Sequence, residues 1–539
     1  MRLRHDPAIT SGHSFVWDLD APGAVPYYVA FTDPTGTPAM PDPSPLCSGV
    51  ADPVCAPGSY TRMSASSVLG VCESDAEIGC VESIAYKNSA GESVPLTKVS
   101  GAVTVFPEDS NFGIPRSTTL STWEDADGAR YVLTAQLMSS LYAKSGAWTA
   151  PTTSALTVMI SRIPRNTTQP AGSASIIDMP IYPGRKSIGM SNGTPMNTVE
   201  LTRGMRFNLK VRVPNTVSGW FQGRIANAVV GSRALSGSRT VYEIEGDVAP
   251  VYIAGGESSS SDPLYPMKGS NVTGFVNALS SPSQIQDYER WKPFLGDKAV
   301  TTRNEWVLTA LSTVANSCFD ASKGLTGIAS SNAAFYSPTP PVYNFATGAV
   351  EYKVASPHYD ENGAVAVGSY SLSIPTAAVQ CLYKTDKVPE AAELSTTYDD
   401  GSSTYTVTKS LTNKDGWINV SVAGLHFSSP TVSAKFGTMS SGQSGFSTLS
   451  TSTSASSSTV AATPPGNLVR TTVSGSRAVV SVTLTAKGTV SVYRKVGSKL
   501  TLIKRFAAKK GINKVTTTYR KGYSFVVKDA KGRTIAKAG

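Results

Sequence analysis

The chain has few charged residues: Asp, Glu, Lys and Arg make up only 16% of its 539 residues, against about 25% in an average globular protein. No apolar run approaches the roughly 20 residues that a transmembrane helix requires. Only four histidines are present, so candidates for a general base are few. These shortages argue against charge-rich helices, against a membrane-spanning segment and against histidine-based catalysis.

The six cysteines lack the CxxC-like spacing of structural zinc sites, so we predict no metal and no other cofactor. Seven residues separate Cys47 from Cys55 and also Cys72 from Cys80, and both segments are rich in turn formers. We favour disulfides Cys47–Cys55, Cys72–Cys80 and Cys318–Cys381, although other pairings and six buried free thiols stay open. Disulfides imply an oxidising compartment and an extracellular or cell-surface location.

A secretory leader is not visible, because no apolar segment follows the residues Met1 to Asp6. Export normally depends on such a segment. We expect that the leader was removed and that Met1 was added or misassigned; the alternative is that the protein is not secreted.

Glycine and proline are plentiful, with 46 and 34 residues, and Ser and Thr abound. This composition favours short strands and turns over helices. Residues 206–213 alternate polar and apolar side chains, which predicts a strand with Phe207, Leu209, Val211 and Val213 facing inward. Residues 131–135 and 155–160 also predict strands.

One short helix is predicted from Gln284 to Trp291, with Ser281 as its N-cap and Pro282 at its first position. Residues 308–315 fit a helix or a strand equally well. We expect Trp220 and Phe221 to fill a core and Arg224 to pair with a carboxylate.

The chain is too long for one hydrophobic core, because cores stop growing near about 250–300 residues. We predict an all-β protein with several sandwich-like domains in series. The predicted parts are a disulfide-bearing β domain (1–101), a β-sandwich (102–254), a β-rich domain with one short helix and the Cys318–Cys381 bridge (255–437), a linker (438–465) and a basic C-terminal module (466–539).

The predicted linker is rich in small polar residues. Between Thr438 and Thr463 it contains 16 Ser and Thr among 26 residues and no charge. Such a segment cannot bury enough apolar surface to fold alone, so we predict a flexible tether.

The C-terminal module carries the positive charge of the chain. It contains 17 of the 48 Lys and Arg but only one of the 38 acidic residues, Asp529, so its net charge is +16 while the rest of the chain carries −6. Alternating segments that place Leu500, Leu502, Phe525 and Val527 inward predict a small sandwich or barrel.

The basic residues of this module are the predicted binding site. A dense positive field attracts polyanions and is sensitive to salt. A solvated face that only aids solubility is the alternative. The predicted residues lie at strand ends or turns: Arg494, Lys495, Lys504, Arg505, Lys509, Lys510, Arg520 and Lys521. Nucleic acid is not expected, because no nucleic-acid motif is present and the cysteines indicate an extracellular protein.

Several stretches resemble a group of large, uncharacterised secreted proteins of actinobacteria. The similar stretches are Gly219–Arg224, Gly327–Ala333 with Tyr336 and Pro340–Pro341, Tyr352–His358, Gly368–Leu372 and Cys381–Tyr383. The resemblance covers roughly residues 102–436 and implies a β-rich fold and an extracellular location. In that group the cysteine before GIASSNA and the one in CLY recur together, which fits the Cys318–Cys381 pairing. No activity comes with the resemblance.

Other motifs favour structural roles. Gly189 to Gly193 matches the GxSxG nucleophile elbow, but Thr194 and Pro195 follow where a helix is needed, which favours a turn. The acidic segments 125–128 and 359–363 resemble parts of calcium loops but lack the remaining ligands, so hairpin turns are favoured. The seven tryptophans could stack on sugars, although core positions are more common for them.

The functional hypothesis is a cell-surface or cell-wall protein for structure or adhesion, with no enzymatic activity. Its basic module would attach it electrostatically to anionic envelope polymers or polysaccharide. The alternatives are a secreted carbohydrate-binding or carbohydrate-active protein, and a structural subunit of a virion or appendage.

Overall fold

A computed structural model gives the architecture. It describes residues 27–31, 46–88, 90–100, 104–163, 174–178, 186–190, 200–254, 285, 288–289, 292, 296–299, 301–311, 317–319, 324–337, 339–398, 403–408, 411–427, 429–439, 446–448, 468–474, 477–484, 488–496, 499–509, 511–518, 524–529 and 534–538. The chain divides into two compact units, Met1–Ser452, called the body below, and Thr453–Gly539, which contains the C-terminal module.

The fold is all-β, as the composition predicts. The first strands of the body are β1 (Tyr27–Phe31), β2 (Leu46–Cys47), β3 (Arg62–Val68), β4 (Cys80–Lys87), β5 (Ser93–Pro95), β6 (Thr97–Ser100), β7 (Thr104–Phe106), β8 (Ser117–Thr118), β9 (Ser121–Glu124), β10 (Arg130–Lys144), β11 (Ala147–Thr149), β12 (Ser154–Ile163), β13 (Ala174–Asp178) and β14 (Lys186–Met190). The others are β15 (Arg206–Pro214), β16 (Gly219–Leu235), β17 (Arg239–Ile253), β18 (Thr301–Glu305), β19 (Val307–Leu311), β20 (Leu325–Ser331), β21 (Phe335–Tyr336), β22 (Val342–Asn344), β23 (Ala349–Ala355), β24 (Val367–Pro375), β25 (Ala391–Thr397), β26 (Ser403–Thr408), β27 (Leu411–Lys414), β28 (Trp417–His426), β29 (Thr431–Met439) and β30 (Phe446–Thr448).

One 19-stranded sheet runs through most of the body. Its strand β16 pairs with β19 and β20 over its first residues and with β17 over the rest. The change of partner coincides with a register shift around Asn227, whose φ is 49°. Bulges of this kind let one strand pass from one sheet layer to another.

Two hydrophobic cores lie on opposite faces of the central strands. Adjacent residues therefore enter different cores: Trp220 packs with β23, β24, β28 and β29, whereas Phe221 packs with β10, β12 and β15. Because both faces of β16 are buried here, consecutive residues such as Trp220 and Phe221 are apolar. The four residues predicted to face inward on β15 are each fully buried.

A seven-stranded sheet made of β21–β23, β25, β26, β29 and β30 forms the other wall of the first core. Helix α1 (Thr376–Tyr383) follows β24 and ends at Lys384 in the left-handed conformation. Sequence analysis missed this helix. In the predicted helix 284–291, the described residues Ile285, Tyr288 and Glu289 are helical, and residues 307–311 form a strand.

The predicted domain boundaries need correction. Strand β4 pairs with β15, and β12 pairs with β19, so strands from all three predicted N-terminal domains share one sheet. The predicted linker is also partly strand, because β29 extends to Met439 and β30 pairs with it. The linker's other residues lie outside the described part of the chain.

The C-terminal module is a seven-stranded sandwich. Its strands are β31 (Leu468–Ser474), β32 (Arg477–Leu484), β33 (Gly488–Val496), β34 (Lys499–Ala508), β35 (Gly511–Thr518), β36 (Ser524–Asp529) and β37 (Thr534–Ala538). One sheet has the order β31-β32-β35 and the other β34-β33-β36-β37. This is the connectivity of a constant-type immunoglobulin domain with one difference: the fourth strand, β34, pairs with β33 instead of belonging to the sheet of β31, β32 and β35.

Candidate functional sites

Strand β34 carries two of the exposed basic residues that the structure describes in the C-terminal module. It is an edge strand of the four-stranded sheet, and Lys504 and Arg505 lie on it with exposed side chains. Lys509 follows directly and is also exposed, with its backbone held by hydrogen bonds to the side chain of Asn513. Charged side chains are common on edge strands because they discourage pairing with other chains. Here they also form a cationic strip along one edge.

The other predicted binding residues are placed differently. Arg494 is half-buried, and it shares the core-facing side of β33 with Val492, since the two are separated by one residue. Lys495 belongs to β33, but its side chain is outside the described part of the structure, as are Lys510, Arg520 and Lys521. The structure thus brings Lys504, Arg505 and Lys509 onto one edge.

Two leucines of β34 contradict the sequence prediction. Leu500 and Leu502 do not face the core; their side chains are 39% and 51% exposed. A register shift between Val492 and Tyr493 places Leu502 opposite Tyr493, on the outer side of the sheet. Phe525 and Val527 are buried as predicted. Alternation along one strand does not show which of its sides faces the core. Only the register with the neighbouring strand shows that Leu500 and Leu502 face away from it.

Several charges of the body, in contrast, are paired with one another. On β15, Arg206 donates hydrogen bonds to Glu245 and Asp247, and Lys87 also bonds Glu245 at 2.9 Å. Burial opposes ionisation of Glu245, but these hydrogen bonds outweigh it and lower the pKa of Glu245 to about 2. Such a network stabilises the sheet and leaves little charge for a partner.

Several motif residues singled out in the sequence take part in a buried polar network. Arg224 is fully buried and donates hydrogen bonds to Glu305 at 2.7 Å and to the carbonyl oxygen of Ala334. The hydroxyl of Tyr336 donates to the carbonyl oxygens of Gly223 and Ser331. The predicted Arg224–carboxylate pair is confirmed, and these motif residues are part of the core.

The calcium-like segments are turns. One carboxylate oxygen of Asp125 accepts hydrogen bonds from the amides of Asp127 and Ala129, and the other accepts from Tyr86. Asp360 accepts from the amides of Asn362 and Ala364 in the same way. These side chains bond their own loops, as in Asx turns. Ser191 of the GxSxG match lies outside the described residues.

A cavity of about 380 Å³ opens in the body beside α1. Its described lining includes the acidic side chain of Asp415, the hydroxyl-bearing residues Ser232, Thr240 and Thr326, and Trp417. The indole nitrogen of Trp417 donates to Ser232 at 2.8 Å. Asp415 is the one acidic residue among the described lining residues, whereas glycoside cleavage needs two carboxyl groups. The cavity is a candidate binding site.

All three predicted disulfides are present in the body. They are Cys47–Cys55, Cys72–Cys80 and Cys318–Cys381. The last joins the loop before β20 to α1, across 63 residues of sequence, and both of its cysteines line the cavity.

Comparison with known proteins adds no family. No protein-family model matches the chain, and no curated protein matches it significantly. In the part of the chain that the structure describes, no helix has the length and apolar character needed to cross a bilayer.

Proposed function

We propose that this protein is a secreted cell-surface protein that attaches to anionic envelope polymers through its C-terminal module. The observation that carries the proposal is the edge strand β34, on which Lys504 and Arg505 are exposed within a compact unit of net charge +16. The module contains 17 basic residues and a single acidic residue. The three disulfides and the resemblance to secreted actinobacterial proteins support the extracellular part of the proposal.

Attachment would be electrostatic and multivalent. Several cations on one edge can contact successive charges of an anionic polymer, and each contact releases counterions. Such binding weakens steeply as salt concentration rises. The body, whose net charge is −6, would then be held at the surface by the module rather than by its own charge.

Retention on purified bacterial cell wall tests the proposal. The full chain is compared with a variant in which Lys504, Arg505 and Lys509 are all changed to Gln, across a series of salt concentrations. We expect retention of the full chain at low salt, its loss at high salt, and at least tenfold weaker binding of the variant.

A matched control removes the same charge from the body. Lys144, Lys384 and Lys387 are exposed there, and changing all three to Gln keeps the net charge equal to that of the module variant. We expect this control to bind like the unmodified chain. An equal loss of cell-wall binding in both variants, or retention that does not depend on salt concentration, would refute attachment through the module.

Saccharide binding in the cavity is a second candidate function. The cavity beside α1 combines hydroxyl groups with the Asp415 carboxylate, which are suitable partners for sugar hydroxyls. Titration with wall-derived oligosaccharides, followed by Trp417 fluorescence, tests this function. Asp415→Asn should weaken the response; a response identical in both proteins would exclude Asp415 as a ligand.

A further inference from the structure

The outward side of the module's four-stranded sheet combines basic and apolar residues. Residues directly opposite in an antiparallel pair share one side of the sheet. Val490 and Val492 of β33 are buried in the core, so Ser491 and Tyr493, which alternate with them, point to the other side. Their partners on β34 and β36 identify the remaining residues of that side.

The register arranges this side in rows across three strands. Ser491 lies between Arg505 of β34 and Lys528 of β36, which makes a basic row. In the next row, Tyr493 lies between the exposed Leu502 and the buried Val526, and the exposed Leu500 follows further along β34. We call the set Arg505, Lys528, Tyr493, Leu500 and Leu502 the outer face.

The basic and apolar parts of the outer face touch each other. The ammonium group of Lys528 lies 5.5 Å from the centre of the Tyr493 ring, within reach of a cation–π contact. Leu502, opposite that ring, has half of its surface exposed. An apolar strip thus borders cationic groups, and β34, as an edge strand, is covered by no neighbouring strand of its sheet on one side.

We propose that the outer face docks onto the surface of an anionic lipid bilayer. Arg505 and Lys528 would contact lipid phosphates, and Leu500 and Leu502 would enter the boundary between headgroups and acyl chains. A soluble polyanion satisfies the cations but offers no apolar phase to the leucines, so the exposed leucines point to a lipid surface as an additional anionic partner of the module. This inference rests on the proposed function, since it assigns a partner to the same cationic module.

Cosedimentation of the full chain with vesicles tests the inference. The vesicles contain phosphatidylcholine alone or phosphatidylcholine with phosphatidylglycerol, and the test variant is Leu500→Ser/Leu502→Ser. We expect binding only to the vesicles with phosphatidylglycerol, and about a tenfold or larger loss of affinity in the variant. The control Val365→Ser/Val388→Ser, which changes body residues that are 45% and 43% exposed, should bind normally.

A second readout does not depend on the stability of the serine variant. An environment-sensitive dye attached to a cysteine in Leu502→Cys should shift its emission to the blue on vesicles with phosphatidylglycerol. An unshifted spectrum in the vesicle-bound protein, or full binding by the serine variant, would overturn the inference.

Binding to dextran sulfate separates this inference from the proposed function. If the chain binds the soluble polyanion in a salt-dependent way but not the vesicles, docking on lipid is wrong and attachment through the module stands. If it binds neither, both fail. The leucine variant should keep its affinity for dextran sulfate, because the polymer does not need the leucines.

Discussion

The body and the C-terminal module use charge in opposite ways. In the body, Arg206 pairs with both Glu245 and Asp247 on a sheet, and Arg224 is buried with Glu305. In the module, 17 basic residues share one acidic residue, and Lys504 and Arg505 remain exposed. These ion pairs of the body support its fold, whereas the exposed cations of the module are proposed to bind an anionic partner.

The two units also differ in their cysteines and tryptophans. All six cysteines belong to the body and form its three disulfides, and the module contains none. All seven tryptophans also lie at or before Trp417, so their fluorescence reports unfolding of the body alone. The predictions on the stability of the body use this fluorescence signal.

The largest expected effect comes from Arg224→Met. The substitution leaves the buried Glu305 carboxylate without its guanidinium partner, which should lower the free energy of unfolding of the body by about 4 kcal/mol. Denaturant unfolding followed by tryptophan fluorescence measures it. The control Arg233→Met removes a side chain that is 65% exposed, and it should change stability by less than about 0.5 kcal/mol. Similar effects from both would contradict the structural role assigned to Arg224.

Removal of the long-range disulfide comes next. Cys318→Ser/Cys381→Ser frees a segment of 63 residues in the unfolded chain, and we expect stability to fall by about 3 kcal/mol. Cys47→Ser/Cys55→Ser opens a loop of only 8 residues and should cost less. The same fluorescence assay ranks the two, and the reverse order would argue against loop closure as the cause.

Acid should destabilise the body through Glu245. Its pKa is lowered from 4.5 to about 2, so its contribution is fully present above pH 4.5 and disappears as the pH falls towards 2. Glu245→Gln should cost about 2 kcal/mol at pH 7 and much less at pH 2. Unfolding curves at several pH values test this, with the exposed Glu390→Gln as control. A pH-independent difference would contradict the assigned ion pairs.

The smallest effect is expected in the module. Lys504→Gln and Lys509→Gln should change the stability of the module by less than about 0.5 kcal/mol, because their exposed side chains support no structure there. Amide hydrogen exchange in β33 and β36 measures that stability. A large drop in protection from hydrogen exchange would mean that these cations stabilise the module. The module would then not differ from the body in its use of charge.

Sequence analysis predicted local features well and long-range ones poorly. Alternation identified β15, and the equal seven-residue spacing favoured the disulfides Cys47–Cys55 and Cys72–Cys80, because these signals lie within short segments. The Cys318–Cys381 bridge spans 63 residues, and its prediction was supported by the family resemblance. The joining of β4 to β15 depends on contacts between distant segments, which no local pattern encodes, so the predicted boundary between residues 101 and 102 was wrong.

The candidate binding site on β34 was also predicted only in its local features. The excess of Lys and Arg after residue 466 is visible in the composition, and it led to Lys504, Arg505 and Lys509. Leu500 and Leu502 were expected in the core, because their alternation does not say which side is inward. Only the register with Tyr493 and the burial of Val492 place them outside.

The dependence of envelope binding on salt tests the central claim most directly. The slope of the logarithm of affinity against the logarithm of salt concentration counts the ion pairs formed with the polymer. Changing Lys504, Arg505 and Lys509 to Gln in the full chain should reduce that slope by about one for each cation removed from the interface. An unchanged slope in this variant, or a slope near zero in the unmodified chain, would contradict attachment through the cations of the module.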